Sequence, residues 1–155
     1  MSSRRIDALE PWMAQILNAA GPGTRRKLSK RIATDLRRSQ ADRIARQEEP
    51  DGTSYHRRRI QLLTKTGRIR KRQEMFKKLR TSRFLKLKAT ASRATVGFDG
   101  RGRTSDIARV HQYGLKDHPQ EPGPLVRYRQ RKLLGYTDED RDRIANTILD
   151  AVTPD

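Results

Sequence analysis

Three histidines, an acidic run and a glycine-arginine repeat are the residues here whose types and spacing could carry chemistry. His56, His111 and His118 bring imidazoles that titrate near neutral pH and can ligate metals. None has a ligand companion four residues away on a predicted helix, and the chain has no cysteine, so a zinc site finds no support. His111 has a structural alternative, a helix residue facing a core or a subunit boundary. Asp138, Glu139, Asp140 and Asp142 could attract Mg²⁺, but contiguous carboxylates at a helix start equally match the positive end of its dipole. The G-R-G-R of residues 100–103 lets backbone approach a phosphate, yet no P-loop, nucleophile elbow or dinucleotide fingerprint occurs. The expectation is a protein with no catalytic residue, metal or cofactor.

Charge is the stronger signal. The chain carries a net +18, unevenly spread. Residues 1–53 hold 11 basic and 7 acidic side chains (+4), residues 54–103 hold 17 and 2 (+15), and residues 104–155 hold 8 and 9 (−1). A block of like charge repels itself until a polyanion or an acidic protein surface neutralises it, although a solvated basic face is the bland alternative. The candidate contacts to DNA or to a protein partner are Arg57, Arg58, Arg59, Arg68, Arg70, Lys71, Arg72, Arg101 and Arg103.

Positioning these residues falls to a small set of elements. At 155 residues the chain suits one domain with an appended arm. With 33% hydrophobic against 35% charged residues, the core is modest, and assembly into a larger particle would supply missing burial. No run approaches the ~18 apolar residues of a membrane span, nor is there a signal-peptide core, so the expectation is a soluble protein made in the cytoplasm and without a membrane partner.

Ile6, Leu9, Met13, Ile16 and Leu17 predict an amphipathic helix over 7–20, stopped by Gly21, Pro22 and Gly23. Leu28, Ile32, Leu36 and Ile44 predict a long helix from 24 to near 47, followed by a turn at Pro50, Asp51 and Gly52 and by Tyr55 as an anchor. Met75, Phe76 and Leu79 briefly restore helical spacing. Residues 84–89 and 94–98 alternate as two strands of an antiparallel hairpin, and residues 126–128 read as a third short strand. In T-S-D-I-A-R-V-H-Q-Y-G-L, residues 104–115, Thr104 is the predicted N-cap. Ile107, Ala108 and His111 share one face, and Gly114 supplies the left-handed exit. In L-L-G-Y-T-D-E-D, residues 133–140, Gly135 breaks the chain and Thr137 or Asp138 caps the last helix. The structural motif is thus Thr104, Ile107, His111, Gly114, Leu133, Leu134 and Gly135. The sum is an α+β fold: a small antiparallel sheet with helices packed on one face (residues 23–155), preceded by an N-terminal helical arm (residues 1–22).

The order I-A-x-V-H-Q-Y-G-L, variable loop, V-x-Y-x-x-R-x-L-L-G-Y-T-D-E-D and amphipathic C-terminal helix resembles the phage virion morphogenesis family, the tail completion proteins of Mu-like and related contractile-tailed phages. E-P-D-G-T-S-Y at 49–55 and M-F-x-x-L-R at 75–80 are further landmarks in the right order, so the resemblance spans most of the chain. It departs at Arg129, where the family usually has proline. The resemblance implies a structural virion protein of the tail or neck. Such a subunit forms a ring, hexameric by default, and helps join the finished tail to the DNA-filled head. The implied partners are itself, neck and tail proteins such as a tail terminator and a head-tail connector, and packaged DNA. The competing reading is a free-standing basic nucleic-acid-binding protein. Only 5% aromatic residues leave that reading little for base stacking, and no DNA- or RNA-binding signature supports it.

Overall fold

The computed structural model describes residues 11, 14, 15, 18–57, 74–98, 100, 102–119 and 122–152. Its longest element, α1 (Pro22–Ala45), has Gly21 as N-cap and Pro22 in its first turn. The helix thus begins two residues before the predicted start, because proline at the first position lacks only an N–H that would have had no intrahelical partner. Pro11, Ala14, Gln15, Asn18 and Ala19 are helical, as expected for the arm. The apolar residues that define its stripe, Ile6 to Leu17, lie outside the described residues.

Leu28, Leu36 and Ile44 of α1 are buried, together with Ala33, Gln40 and Arg43. The helix ends at Arg46, and Gln47 takes φ 63°. The predicted turn follows. The Asp51 carboxylate accepts from the Thr53 N–H at 2.9 Å and the Thr53 hydroxyl at 2.7 Å, which hold it below the usual carboxylate range. Tyr55 is then buried.

Met75, Phe76 and Leu79 are buried as expected, but they lie in successive turns rather than in a helix. The reason is local. The Gln47 side-chain amide bonds both the N–H and the C=O of Met75, at 2.8 and 2.9 Å, and Phe76 takes φ 64°, so the single i→i+4 bond from the Arg80 N–H to the Phe76 carbonyl is not extended into a helix.

The hairpin β1 (Leu85–Ala89) and β2 (Ala94–Phe98) is antiparallel, with Leu85 opposite Phe98, Leu87 opposite Val96 and Ala89 opposite Ala94. Leu85 is buried while Lys86 and Lys88 are exposed, the alternation of a sheet with one covered face. Next come α2 (Arg103–Tyr113), the two-residue strands β3 (Lys116–Asp117) and β4 (Val126–Arg127), and α3 (Asp138–Val152). The third strand does not extend the hairpin. Residues 126–127 pair with 116–117 in a separate ribbon, because the turn after Gly114 brings the chain back beside its own loop. The fold is α+β. α1 lies across the hairpin and against α3. Ile44, Tyr55, Met75, Phe76, Leu79, Ala108 and Leu133 form the core cluster, with Phe98 and Ile107 packed on it.

Thr104 is not the cap of α2. The N-cap is Gly102 at φ 91°, with no side-chain cap bond, and the helix starts at Arg103. The Arg103 guanidinium donates to the Asp117 carboxylate at 3.2 Å and to the His118 carbonyl at 2.7 Å, tying that first residue to β3. A glycine reaches this backbone geometry without strain, so no side-chain cap is needed to position the start.

Candidate functional site

The two motif segments meet, and the contact is made by polar side chains. Residues 131–135 pass beside the C-terminal halves of α1 and α2 as irregular chain with a bend at Leu134, without joining a sheet. Their backbone bonds are supplied instead by two glutamines and an arginine. Gln112 of α2 accepts at Oε1 from the N–H groups of Leu133 (2.8 Å) and Leu134 (2.9 Å), and donates from Nε2 to the Leu134 carbonyl (3.1 Å). Gln40 of α1 donates to the Gly135 carbonyl at 2.6 Å and accepts from the Gly135 N–H at 3.2 Å. Each side-chain amide thereby does what a neighbouring strand would do.

Arg43 sits between them, only 1% exposed. It donates to the carbonyls of Glu48 (3.2 Å), Lys132 (3.3 Å) and Leu133 (3.0 Å), and to the Gln40 side-chain oxygen. Burial lowers its pKa, with nearby Tyr55 and Asp140 partly opposing that. A guanidinium still stays charged at any physiological pH. The two terminal nitrogens of Arg43 carry all of these bonds, while among the described residues its buried Nε has no partner.

Arg131 is the second buried guanidinium, 4% exposed. It donates from Nε to the His56 carbonyl at 2.7 Å, and its terminal nitrogens reach His111 Nδ1 at 3.1 Å and the Arg57 carbonyl at 3.3 Å. Since a guanidinium cannot accept, His111 accepts at Nδ1 and carries its proton on Nε2. The His111 ring is edge-on to Phe76 (4.8 Å) and Tyr128 (5.0 Å), and Phe76 is edge-on to Tyr55 (5.7 Å). Such T-shaped pairs add to the burial that holds the cluster. His111 is therefore a positioned core residue, bonded at Nδ1 to the Arg131 side chain.

Both motif glycines are required. Gly114 closes α2 at φ 64°, its N–H and that of Leu115 both reaching the Val110 carbonyl, and an added Cβ would lie 3.2 Å from Gln130. At Gly135 an added Cβ would come within 2.5 Å of the Pro50 ring, so the motif also locks the turn after α1. Thr137 caps α3 as expected. Its hydroxyl accepts from the Asp140 N–H at 3.0 Å and the Asp140 carboxylate accepts from the Thr137 N–H at 3.1 Å, a reciprocal capping box. Asp138, Glu139 and Asp140 occupy the first turn of α3. Glu139 is held below its ordinary value by its own backbone N–H and by the Thr137 hydroxyl.

Of the candidate partner contacts, Arg57 is exposed, and Arg103 is engaged with Asp117 in an ion pair of 2.9 Å. Arg58, Arg59, Arg68, Arg70, Lys71, Arg72 and Arg101 lie outside the described residues. His118 bonds the Gly123 carbonyl at 2.8 Å. Among the described residues no group of three His, Asp or Glu side chains could hold a metal, and no helix is long and apolar enough to cross a membrane. An open groove of about 990 Å³ lies between α1, the 48–52 turn and the start of α3. Its walls are dominated by charged residues, among them Asp42, Arg46, Glu49 and Glu139, unlike the apolar clefts that small ligands use.

Gln40, Arg43 and Gln112 escaped the sequence reading, although one signal was present. The four-residue stripe of Leu28, Ile32, Leu36 and Ile44 has a gap at 40, and a polar residue in an apolar register marks a buried bonding group.

The phenol of Tyr55 is pushed up to about 12, first by burial and then by Glu49 and Glu48, with Arg43 opposing. Between pH ~10 and ~12 the folded chain keeps a proton that the unfolded chain has lost. The stability from this group is therefore complete below pH ~10 and disappears as pH rises through the folded value, a term on the order of 2 kcal/mol. Phenolate absorbance should show a titration step near pH 12 that Tyr55→Phe removes; an unchanged curve in that variant would show that Tyr55 ionises with the rest.

A family model describing the phage virion morphogenesis family matches residues 5–153. The chain is also 40% identical over 141 residues to tail completion protein S of Escherichia phage P2, covering 90% of this chain and 92% of that protein. No solved structure matches. Nearly the whole chain, including both segments joined by the glutamine and arginine clamp, lies within these matches, and the chain belongs to the phage virion morphogenesis family.

Proposed function

We propose that this protein is a structural, non-enzymatic tail completion subunit of a phage virion, forming a ring at the neck that helps join the finished tail to the DNA-filled head. The observation that carries the reading is 40% identity to a protein named for tail completion, maintained over 90% of the chain. The site agrees with it in kind. Its buried polar groups are spent on backbone: Gln40, Arg43 and Gln112 fasten residues 132–135, which serves rigidity rather than turnover. The partners are further copies of the chain, with a hexamer as the default, neighbouring neck and tail proteins such as a tail terminator and a head-tail connector, and packaged DNA. The N-terminal helix and the basic run from Arg57 to Arg72 make the contacts, while the Leu133 segment and α2 support the folded unit.

The test is a phage lacking this gene, grown with and without a plasmid copy and examined by electron microscopy and particle composition. Separate full heads and finished tails in its absence, with the protein at the junction on complementation, are the expected result. Complete infectious particles without the protein would overturn the reading, and recovery of the protein only with cellular nucleic acid would favour a free-standing nucleic-acid binder.

A further inference from the structure

A second basic surface lies outside the middle third of the chain. Between residues 22 and 39 there are seven basic side chains and one acidic, Asp35, and α1 sorts them by face. At about 100° per residue, Lys27, Lys30, Arg31, Thr34 and Arg38 fall within about 100° of the helix circumference, over an axial length of about 17 Å. All five are exposed, while Leu28, Ala33, Leu36 and Gln40 are buried. Asp35 is half-buried beside Ile144 and Thr147 of α3, at the border of the basic face, where it and Arg38 both line the charged groove between α1 and α3. The ion pairs among the described residues are Arg46–Glu48, Arg80–Glu74 and Arg103–Asp117, so among the described residues none of the four cations on this face has an ion-pair partner.

The composition of the face selects its partner. The anchors of a protein interface are Trp, Tyr and Arg side chains packed in desolvated pockets, and this face has no aromatic or apolar side chain to pack around its arginines. Its only other member is Thr34, whose hydroxyl donates to the Lys30 carbonyl at 2.8 Å, so the four cations carry the recognition. Duplex DNA carries one charge per ~1.7 Å of axis, so a duplex lying along the helix offers more phosphates than the face has cations, whatever its base sequence. We propose that the exposed face of α1, through Lys27, Lys30, Arg31 and Arg38, binds duplex DNA by its phosphates without sequence preference. That the DNA met there is the genome at the head-tail joint rests on the proposed function; the binding itself does not.

The test is fluorescence anisotropy of the full chain with two unrelated 30-base-pair duplexes between about 50 and 300 mM salt. Wild type should bind both alike. Lys27→Ala/Lys30→Ala/Arg31→Ala/Arg38→Ala, all at exposed helical positions where alanine is favourable, should keep the wild-type melting temperature. It should flatten the plot of log K against log salt by about 3 to 4 and weaken binding about a thousandfold at 100 mM, since each phosphate contact contributes ~0.9 to the slope. The charge-conserving Lys27→Arg/Lys30→Arg/Arg31→Lys/Arg38→Lys should retain the wild-type slope. A wild-type slope in the alanine variant, loss of slope in the charge-conserving variant, or polyglutamate bound as tightly as duplex would each overturn the proposal. The gene deletion reports separately on the tail: complete particles without the gene, together with a flattened slope, would leave the DNA face standing and remove the tail role.

Discussion

Replacing Arg43 with methionine is expected to destabilise the fold by about 3 kcal/mol. Methionine retains most of the aliphatic stem and removes the donors. The carbonyls of Glu48, Lys132 and Leu133 and the side-chain oxygen of Gln40 then lose a shared partner in a site 1% exposed. Each buried acceptor left without a bond costs about 1–3 kcal/mol. The opposing term is real, because burying a guanidinium is itself unfavourable and the lowered pKa of Arg43 expresses that penalty. Three backbone carbonyls outweigh it. A domain of this size has about 5–15 kcal/mol in total, so the loss should move a urea midpoint plainly at unchanged slope. Arg43→Lys separates charge from geometry: a single ammonium cannot span the same four oxygens, so it should recover less than half of the loss. A midpoint within experimental error of wild type for Arg43→Met would show that the clamp adds nothing net to stability.

The same residues explain what was legible beforehand. α1, the hairpin and α3 announce themselves because their periodicity reflects burial of apolar side chains on one face. Gly114 and Thr137 are legible because left-handed backbone and free N–H groups call for particular residue types. The clamp is harder to read: the polar residue at 40 in the apolar stripe marks a buried bonding group, but its partners are not written nearby. Helical spacing does place Arg43 seven residues after Leu36, on the buried face, but what it bonds there is set by residues 132–135, about ninety positions away. Met75 to Arg80 reads as helical from spacing, but Gln47 fixes the Met75 backbone from a different part of the chain. The strand at 126–127 was visible, while its partner at 116–117 carries no strand signal of its own: lysine and aspartate pair there because the Gly114 turn and the Arg103–Asp117 contact place them. Long-range polar contacts are thus where sequence patterning stops being informative, and here they also join the two motif segments.

Leu133→Ala should be the most damaging truncation in the motif, and Leu134→Ala a mild one. Both leucines look alike in the sequence. Their side chains nevertheless differ in burial, and Gln112 fixes this part of the chain by bonding both backbone N–H groups. Leu133 is fully buried in the cluster with Ile44, Tyr55, Phe76 and Ala108, whereas Leu134 is half-buried. Emptying a fully buried leucine site costs about 2–5 kcal/mol, the upper part of that range where neighbours cannot collapse. Here Arg43 and Gln112 hold the backbone on either side, so relaxation is limited and about 4 kcal/mol is expected. For Leu134→Ala, the part of the side chain already in water contributes little, and about 1 kcal/mol is expected. Urea unfolding of the two variants measures the difference directly, and a tail-completion assay adds its consequence: Leu133→Ala should complete few particles at high temperature and more at low temperature, while Leu134→Ala should track wild type. Equal losses in the two variants would mean that this difference in burial does not decide which leucine supports the core.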